Sequence, residues 1–274
     1  MKKYLLSIGA VTAIILSGAV STANAGLLYA INNTNNTLVT FDTNTLAQNV
    51  VGSLGTNISF GGAAYDPNSD TMYLIDGRGA NNSLFTVNRT TGAASLVGSH
   101  GVNDLFGLAY DSMNNVLYGS QFSGGRGLYS LDTGTGAATV INSAMGVGIG
   151  GLAYNSLTDQ LIGIRDGSGD LYDINRTTGG QSLLFNGASV NDSGLTYDPD
   201  LNLYWDIDFN GNLFSYDPNN GFARTTHLSG LGSFDGLTYL TTAINTSTNV
   251  PEPAPLALLG FGLLGLGFMR RRKA

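Results

Sequence analysis

Short apolar runs alternate with turn-forming residues through most of the chain. The clearest unit, between residues 107 and 141, contains four such runs: Leu108–Tyr110, Val116–Tyr118, Gly127–Leu131 and Ala137–Ile141. Runs of this length, rich in Leu, Val, Ile and Tyr and separated by Gly, Asn and Asp, are typical of β-strands. No helical period is maintained over ten residues between positions 26 and 249, so the pattern predicts an all-β domain.

The first run of this unit recurs along the chain, which indicates a repeat architecture. The copies lie 45, 44, 43 and 42 residues apart, and each ends in a tyrosine: Tyr65, Tyr110, Tyr154, Tyr197 and Tyr239. A glycine precedes every copy, at Gly62, Gly107, Gly151, Gly194 and Gly236. Most copies present a large Leu/Tyr face and a small Ala/Thr face, the matching that stacked sheets need. A period of this size is typical of a propeller or a solenoid.

Two incomplete units at the ends of the repeat region favour a closed ring over a linear array. The complete four-stranded units begin at Ala63, Leu108, Leu152 and Leu195. The unit that begins at Leu27 lacks its first strand, whereas Leu237–Leu240 is a first strand without the other three. Pairing of these two parts completes a fifth sheet, as in β-propellers. The sequence therefore predicts a five-bladed β-propeller over residues 26–241, closed by pairing of the C-terminal strand with the N-terminal blade.

The first 25 residues have the features of a secretory signal peptide. Lys2 and Lys3 precede an almost wholly apolar run from Tyr4 to Val20, and Ala23-Asn24-Ala25 forms a small-x-small cleavage site. This order predicts export and cleavage before Gly26. An uncleaved anchor is the weaker alternative because the apolar run is short.

The last 25 residues, 250–274, form a second signal. Pro251-Glu252-Pro253 is followed by an apolar run, Leu256–Met269, and by four cations, Arg270 to Lys273. Fourteen helical residues span about 21 Å, and cytoplasmic cations stop translocation. We therefore predict a short transmembrane helix here. The segment resembles the PEP-CTERM sorting signal of Gram-negative bacteria, in which Pro-Glu-Pro precedes a short membrane segment and a basic tail.

The resemblance implies processing by an exosortase, a membrane peptidase-transferase, in a bacterium that produces extracellular polysaccharide. The segment would then be a temporary anchor in the inner membrane, and the protein would finish at the cell surface or in the medium. A permanent single-pass anchor is the alternative. Both place residues 26–249 outside the inner membrane, with residues 242–249 as a Thr/Asn/Ser-rich linker.

Charge narrows the range of partners. Without the two end segments, six cations remain, all Arg, and eighteen acids remain, all Asp, so the net charge of residues 26–249 is −12. Such a surface repels phosphate backbones, and we expect no nucleic-acid partner. The chain has no Cys, so the stability of the exported domain must come from its core rather than from disulfides.

One face of a propeller is built from the loops that join the fourth strand of a sheet to the next first strand, and the second strand to the third. Loops held on a rigid scaffold often carry function. Our candidate binding residues on this face are Arg78, Asp104, Phe106, Arg126, Arg165, Asp192, Phe234 and Asp235. A mixture of polar and aromatic groups suits a sugar or peptide ligand, although polar loops without a ligand look similar.

A local pattern in the fifth unit resembles the first half of a calcium loop. Asp206, Asp208 and Asn210 precede Gly211 as D-x-D-x-N-G, and Asp217 occupies the twelfth position. Calcium prefers several carboxylate oxygens on a tight turn. Phe214 at the ninth position cannot ligate, and Asn210-Gly211 also makes a good hairpin turn. Calcium is therefore a candidate ligand, and we expect no other cofactor.

Signals for catalysis are weak. Residues 26–249 contain no Glu, and no nucleophile-elbow, P-loop or H-E-x-x-H motif occurs. Asp104, Asp192 and Asp235 are the acids we would test for glycan cleavage, and the two histidines, far apart in sequence, are expected at the surface. We interpret the protein as an exported, non-catalytic surface or matrix propeller that binds polysaccharide, surface proteins or its own copies. The alternatives are a secreted glycan-cleaving enzyme and a purely structural repeat protein.

Overall fold

Twenty strands form five antiparallel sheets of four strands each. The computed structural model describes residues 26–78, 82–191 and 193–241, so the predicted signal peptide, linker and sorting segment lie outside these ranges. Within them, the only helical element is one 3₁₀ turn, Pro218–Asn220. The predicted all-β class and the five-bladed propeller are therefore confirmed, whereas the described residues include no helix long and apolar enough to span a membrane.

The blades follow one another along the chain. Blade I contributes β1 (Gly26–Asn32), β2 (Thr37–Asp42) and β3 (Gln48–Ser53). Blade II consists of β4 (Ala63–Asp66), β5 (Thr71–Ile75), β6 (Ser83–Val87) and β7 (Ala94–Ser99). Blade III consists of β8 (Leu105–Asp111), β9 (Val116–Gln121), β10 (Leu128–Leu131) and β11 (Ala138–Asn142). Blade IV consists of β12 (Gly151–Asn155), β13 (Gln160–Ile164), β14 (Leu171–Ile174) and β15 (Gln181–Phe185). Blade V consists of β16 (Ser193–Asp198), β17 (Leu203–Asp208), β18 (Leu213–Asp217) and β19 (Ala223–Leu228), and β20 (Phe234–Thr241) follows.

Strand β20 closes the ring by joining blade I. It pairs antiparallel with β1 in the register Leu27↔Leu240, Leu28↔Tyr239 and Tyr29↔Thr238. The sheet order of blade I is therefore β20-β1-β2-β3, which confirms the predicted closure. Closure matters because it pairs the inner edge of β1, which would otherwise expose a row of backbone hydrogen-bonding groups.

Large side chains of one blade pack on small side chains of the preceding blade. Between blades III and IV, Ala109 meets Leu152. Between blades IV and V, Ala153 meets Leu195 and Tyr197. All of these side chains are buried. The alternation of large and small faces predicted for the first strands is thus the contact that joins the blades.

The loop face described above, here called the upper face, is separated from the opposite, lower face by a waist of glycines. Gly62, Gly107, Gly151, Gly194 and Gly236 line the centre of the ring together. A Cβ atom added to Gly62 would lie 2.2 Å from the carbonyl oxygen of Phe106, and one added to Gly194 would lie 2.6 Å from the backbone nitrogen of Leu237. The first strands therefore approach so closely at the axis that a side chain does not fit.

Turns on the lower face explain most of the recurrent Asp and Asn residues. In blades II to V, the residue that ends the first strand accepts two backbone N–H groups, as Asp66 does from Asn68 and Ser69. The residue four positions later has a left-handed backbone, with φ of 53° at Asp70 and 56° at Asp159. Its side chain accepts the hydroxyl proton of the first-strand tyrosine, as in Tyr154 to Asp159 at 2.8 Å. These acids thus serve the turns.

Candidate functional site

The lower mouth of the ring opens into a cavity of 240 Å³. It is lined by the repeated first-strand tyrosines, Tyr65, Tyr110, Tyr154, Tyr197 and Tyr239. Burial, together with hydrogen bonding to Asp70 and Asp66 respectively, raises the pKa of Tyr65 and of Tyr110 to about 12. The hydroxyls of Tyr65 and Tyr154 donate to their own turns. The lower mouth is therefore surrounded by uncharged tyrosines whose hydroxyl groups stabilise the neighbouring turns.

Four phenylalanine rings cross the upper mouth in a stacked row. The ring centroids of Phe209 and Phe60 are 5.5 Å apart, those of Phe60 and Phe106 are 5.2 Å apart, and those of Phe106 and Phe122 are 5.4 Å apart. The planes of neighbouring rings differ by only 10–17°. Phe209 belongs to blade V and Phe60 to the loop that enters blade II. These blades are not neighbours, so the row bridges the mouth.

The middle of this row carries an ion pair. The guanidinium carbon of Arg78 lies 4.3 Å from the ring centroid of Phe60 and 4.9 Å from that of Phe106. Its Nε donates to Asp104 at 2.7 Å, and the Ser123 hydroxyl donates to the other carboxylate oxygen. Burial raises the pKa of Asp104, but the bonds from Ser123 and Arg78 outweigh burial and hold that pKa below its ordinary value. Asp104 is therefore an ionised, fully engaged carboxylate.

Backbone strain marks the same place. Phe60 has φ of 58°, Asp104 has φ of 58° and Arg126 has φ of 53°. A bulky side chain rarely adopts this left-handed region, and such outliers persist only where the surroundings hold them in place. The upper face thus keeps three of its polar and aromatic side chains in unfavourable backbone conformations.

A second cavity, of 430 Å³, lies on the upper face between blades III and IV. It is lined by Phe122, Ser123, Gly124, Arg126, Gly148, Arg165 and Asp166. The loop 143–150 passes directly against the backbone here, because a Cβ added to Gly148 would lie 2.2 Å from the carbonyl oxygen of Phe122. The cavity adjoins the end of the phenylalanine row and contains two of the six arginines of residues 26–249.

The structure therefore brings the predicted upper-face residues into two groups. Arg78, Asp104 and Phe106 share the phenylalanine row, and Arg126 and Arg165 share the cavity between blades III and IV. Phe122 and Phe209 were not predicted as site residues. The sequence does contain a signal for them, because each directly follows the end of a second strand, at equivalent positions of blades III and V.

The remaining predicted residues do not join these two groups. Phe234 is fully buried and packs edge-on against Phe41 at 5.8 Å, so it belongs to the core between blades V and I rather than to the surface. Asp235 is also buried and accepts a hydrogen bond from Asn33. Asp192 and the sorting residues Pro251, Glu252 and Pro253 lie outside the described residues.

The four residues of the calcium pattern do not come together. Asp206 is wholly buried within blade V, and Asp208 accepts hydrogen bonds from the backbone and side chain of Asn212. Asp217 lies at the opposite end of β18, where it accepts from the backbone N–H of Asn219. In the described part of the chain, no three acids or histidines are grouped as metal ligands would be. Asn210-Gly211 forms a tight turn between β17 and β18 instead.

The two histidines also differ from expectation, because His100 is buried and His227 is half-buried. His100 is only 4% exposed, and its Nδ1 accepts from the backbone N–H of Val102. The neutral ring therefore carries its proton on Nε2 and donates it to the Asp76 carbonyl at 3.2 Å. His227 lies 4.7 Å from the ring of Trp205. Burial lowers the pKa of both histidines.

These lowered pKa values predict acid destabilisation near neutrality. The unfolded chain binds more protons than the folded one below the ordinary histidine pKa of 6.5. Stability is then full above that pH and falls as the pH drops through 6.5, by at most about 1.4 kcal/mol per pH unit for each histidine. Thermal melts between pH 7.5 and 5 should show this loss. His100→Gln should flatten the profile, and an unchanged profile in His100→Gln and His227→Gln would contradict the assignment.

A comparison with protein families bears on the end of the chain. Residues 249–273 match the family described as the PEP-CTERM protein-sorting motif. This protein carries a PEP-CTERM sorting motif. The motif implies an exported protein that is anchored at the membrane before an exosortase processes it. The match covers the sorting segment only, and the search of curated proteins finds no significant relative of the chain.

Solved structures resemble the propeller of this protein. A chain from the crystal structure of a nidogen/laminin complex aligns with a TM-score of 0.54 and 12% identity, over 81% of this chain and 87% of that one. A protein of unknown function from Bacteroides thetaiotaomicron aligns with a TM-score of 0.52 and 16% identity, over 79% of this chain and 62% of that one. At these identities the likeness shows the fold alone.

Proposed function

We propose that this protein is an exported, non-catalytic propeller of a Gram-negative bacterium that binds extracellular polysaccharide through its upper face. The observation that carries the proposal is the row Phe209–Phe60–Phe106–Phe122, which crosses the mouth with a guanidinium stacked on it. Phe60, Phe122 and Phe209 are only partly buried. Aromatic surface beside a few fixed polar groups is the usual composition of a ligand site.

The point at which the chain leaves the propeller toward the sorting tail also supports ligand binding at the upper face. Strand β20 runs from Phe234, next to the upper-face loops, to Thr241 on the lower face. The chain leaves the propeller there, and residues 242–249 span at most about 29 Å when fully extended. An anchored precursor would thus keep its lower face toward the membrane and its upper face free for a ligand.

The engagement of the carboxylates supports a non-catalytic role. A glycosidase of the usual kind needs one carboxylic acid with a raised pKa to protonate the leaving group. Asp104 has a lowered pKa and is held by Arg78 and Ser123, and Asp235 is buried.

Affinity electrophoresis tests the proposal. The full-length protein, solubilised in mild detergent, is run through gels that contain single neutral or acidic polysaccharides. We expect retardation by at least one polysaccharide, and Phe122→Ala should reduce it severalfold because it removes one partly exposed ring. Leu96→Ala, on an outer strand where Leu96 is 66% exposed, is the matched control and should migrate as the parent does.

Two results would contradict the proposal. If no polysaccharide retards the protein, the propeller has another partner, such as a surface protein or a second copy. If reducing sugar is released and Asp104→Asn abolishes that release, the protein is a glycan-cleaving enzyme instead.

A further inference from the structure

One arginine of the upper face contacts no carboxylate among the described residues. Residues 26–249 contain three Asp for every Arg. Arg78, Arg89, Arg165 and Arg176 do form ion pairs. The side chain of Arg126 is exposed, and its Nη1 donates to the carbonyl oxygen of Gly146 at 3.2 Å.

Its neighbour across the cavity is only weakly paired. Arg165 is 3.8 Å from Asp170, and its side chain is 46% exposed. The carboxylate of Asp170 already accepts from Ser168 at 2.7 Å and from the backbone N–H of Gly187 at 3.0 Å. At 3.8 Å the guanidinium of Arg165 forms no hydrogen bond with Asp170, so it retains donors for another partner.

The loop that carries Arg126 is fixed before any ligand arrives. The backbone N–H of Met145 donates to the Arg126 carbonyl at 2.9 Å, and the N–H of Gln121 donates to the Gly127 carbonyl at 2.8 Å. The strained φ of Arg126 is therefore maintained by hydrogen bonds from both sides. A side chain held on such a loop loses little backbone entropy when it binds.

We propose that the 430 Å³ cavity between blades III and IV binds a carboxylate-bearing sugar, with the uronic acid carboxylate on Arg126 and Arg165 and the sugar ring against Phe122. This inference rests on the proposed function and names its ligand class. Guanidinium groups match carboxylates through paired hydrogen bonds, which a neutral sugar cannot form. Asp166 in the lining opposes an anion, but two guanidinium groups against one carboxylate give the lining a net positive charge. The net charge of −12 opposes long polyanions, although charges farther than about 8 Å are screened at physiological salt. Short acidic segments are therefore the favoured ligands.

Isothermal titration with a galacturonate trisaccharide tests the site on the full-length protein in mild detergent. We expect saturable binding, and Arg126→Gln and Arg165→Gln should each weaken it at least tenfold. Arg224→Gln is the matched control, since Arg224 also contacts no carboxylate among the described residues and lies away from the cavity over Phe214. It removes the same charge and should change the affinity less than twofold. Melting curves of all variants check that the fold is intact.

The neutral form of the same trisaccharide, with its carboxyl groups reduced to alcohols, separates the outcomes. We expect it to bind at least tenfold more weakly than the acid. Equal binding of both forms, no binding of the acid, or no effect of Arg126→Gln would overturn the carboxylate site. Competition by inorganic sulfate at equal concentration would overturn the role of the sugar ring. If the carboxylate site is overturned but other polysaccharides still retard the protein in the gels, the proposed function remains supported. If no polysaccharide retards the protein, both the carboxylate site and the proposed function are contradicted.

Discussion

Deletion of Gly236–Thr241 is expected to unfold the domain or convert it into oligomers. These residues form most of β20, whose Leu237, Tyr239 and Leu240 are buried, as is Phe234 at its start. Each large side chain contributes about 1.5–3 kcal/mol when buried, so the three that the deletion removes supply about 4.5–9 kcal/mol. The total stability of a domain is only about 5–15 kcal/mol. The deletion also leaves the inner edge of β1 unpaired, which favours pairing between molecules.

Trp205 reports on this closure. It is the only Trp of the chain, it is 1% exposed, and it shares a core with Leu237 and Tyr239. We expect a red-shifted emission, a lost melting transition and a larger size in gel filtration. Leu237→Asp should act in the same direction, because it places a charge in the core. The matched control, Val50→Asp, alters a side chain of blade I that is 58% exposed and should change little.

A deletion variant that stays monomeric, with unchanged Trp205 emission and melting temperature, would show that β20 does not hold the ring together.

The second large effect is expected from Gly62→Ala. The added methyl group would lie 2.2 Å from the carbonyl oxygen of Phe106 and 2.9 Å from the backbone nitrogen of Leu108. Backbone atoms of a neighbouring blade cannot rotate away as a side chain can, so the blades must separate. Overpacking usually costs about 1–3 kcal/mol, and here we expect the upper end or more. For a domain of this size the melting temperature should fall by about 6–12 °C.

Gly146→Ala provides the control for this prediction. Gly146 is exposed, and the nearest atom to an added Cβ is the Oε1 of Gln181 at 3.6 Å. Its φ lies outside the left-handed region, so alanine fits without strain. Chemical denaturation should find both proteins equal within about 0.5 kcal/mol. Equal stability of Gly62→Ala and Gly146→Ala would mean that the glycine waist is not a close contact.

Individual residues show how much of the candidate site could be predicted from the sequence. Arg78, Asp104 and Phe106 were assigned to the upper face from loop position alone, and they do form one contact group. Phe234 was assigned by the same rule and lies in the core, because β20 begins earlier than its apolar run suggested. In the calcium pattern, Asp208 ends β17 beside the turn, whereas Asp217 ends β18 at the far end of that strand. Side-chain direction within a blade depends on sheet register, which a motif does not contain.

The sequence by itself determined the class of fold, the number of blades, the closure and the sorting motif. These follow from local signals, namely the strand pattern, the repeat period, the incomplete end units and the order of residues in the tail. Only the tertiary structure decided that Phe209, from one side of the ring, stacks on Phe60 from another, and that Arg126 is left without a carboxylate among the described residues. Such contacts join loops far apart along the chain, and their distances depend on how five blades close around a waist too narrow for any side chain.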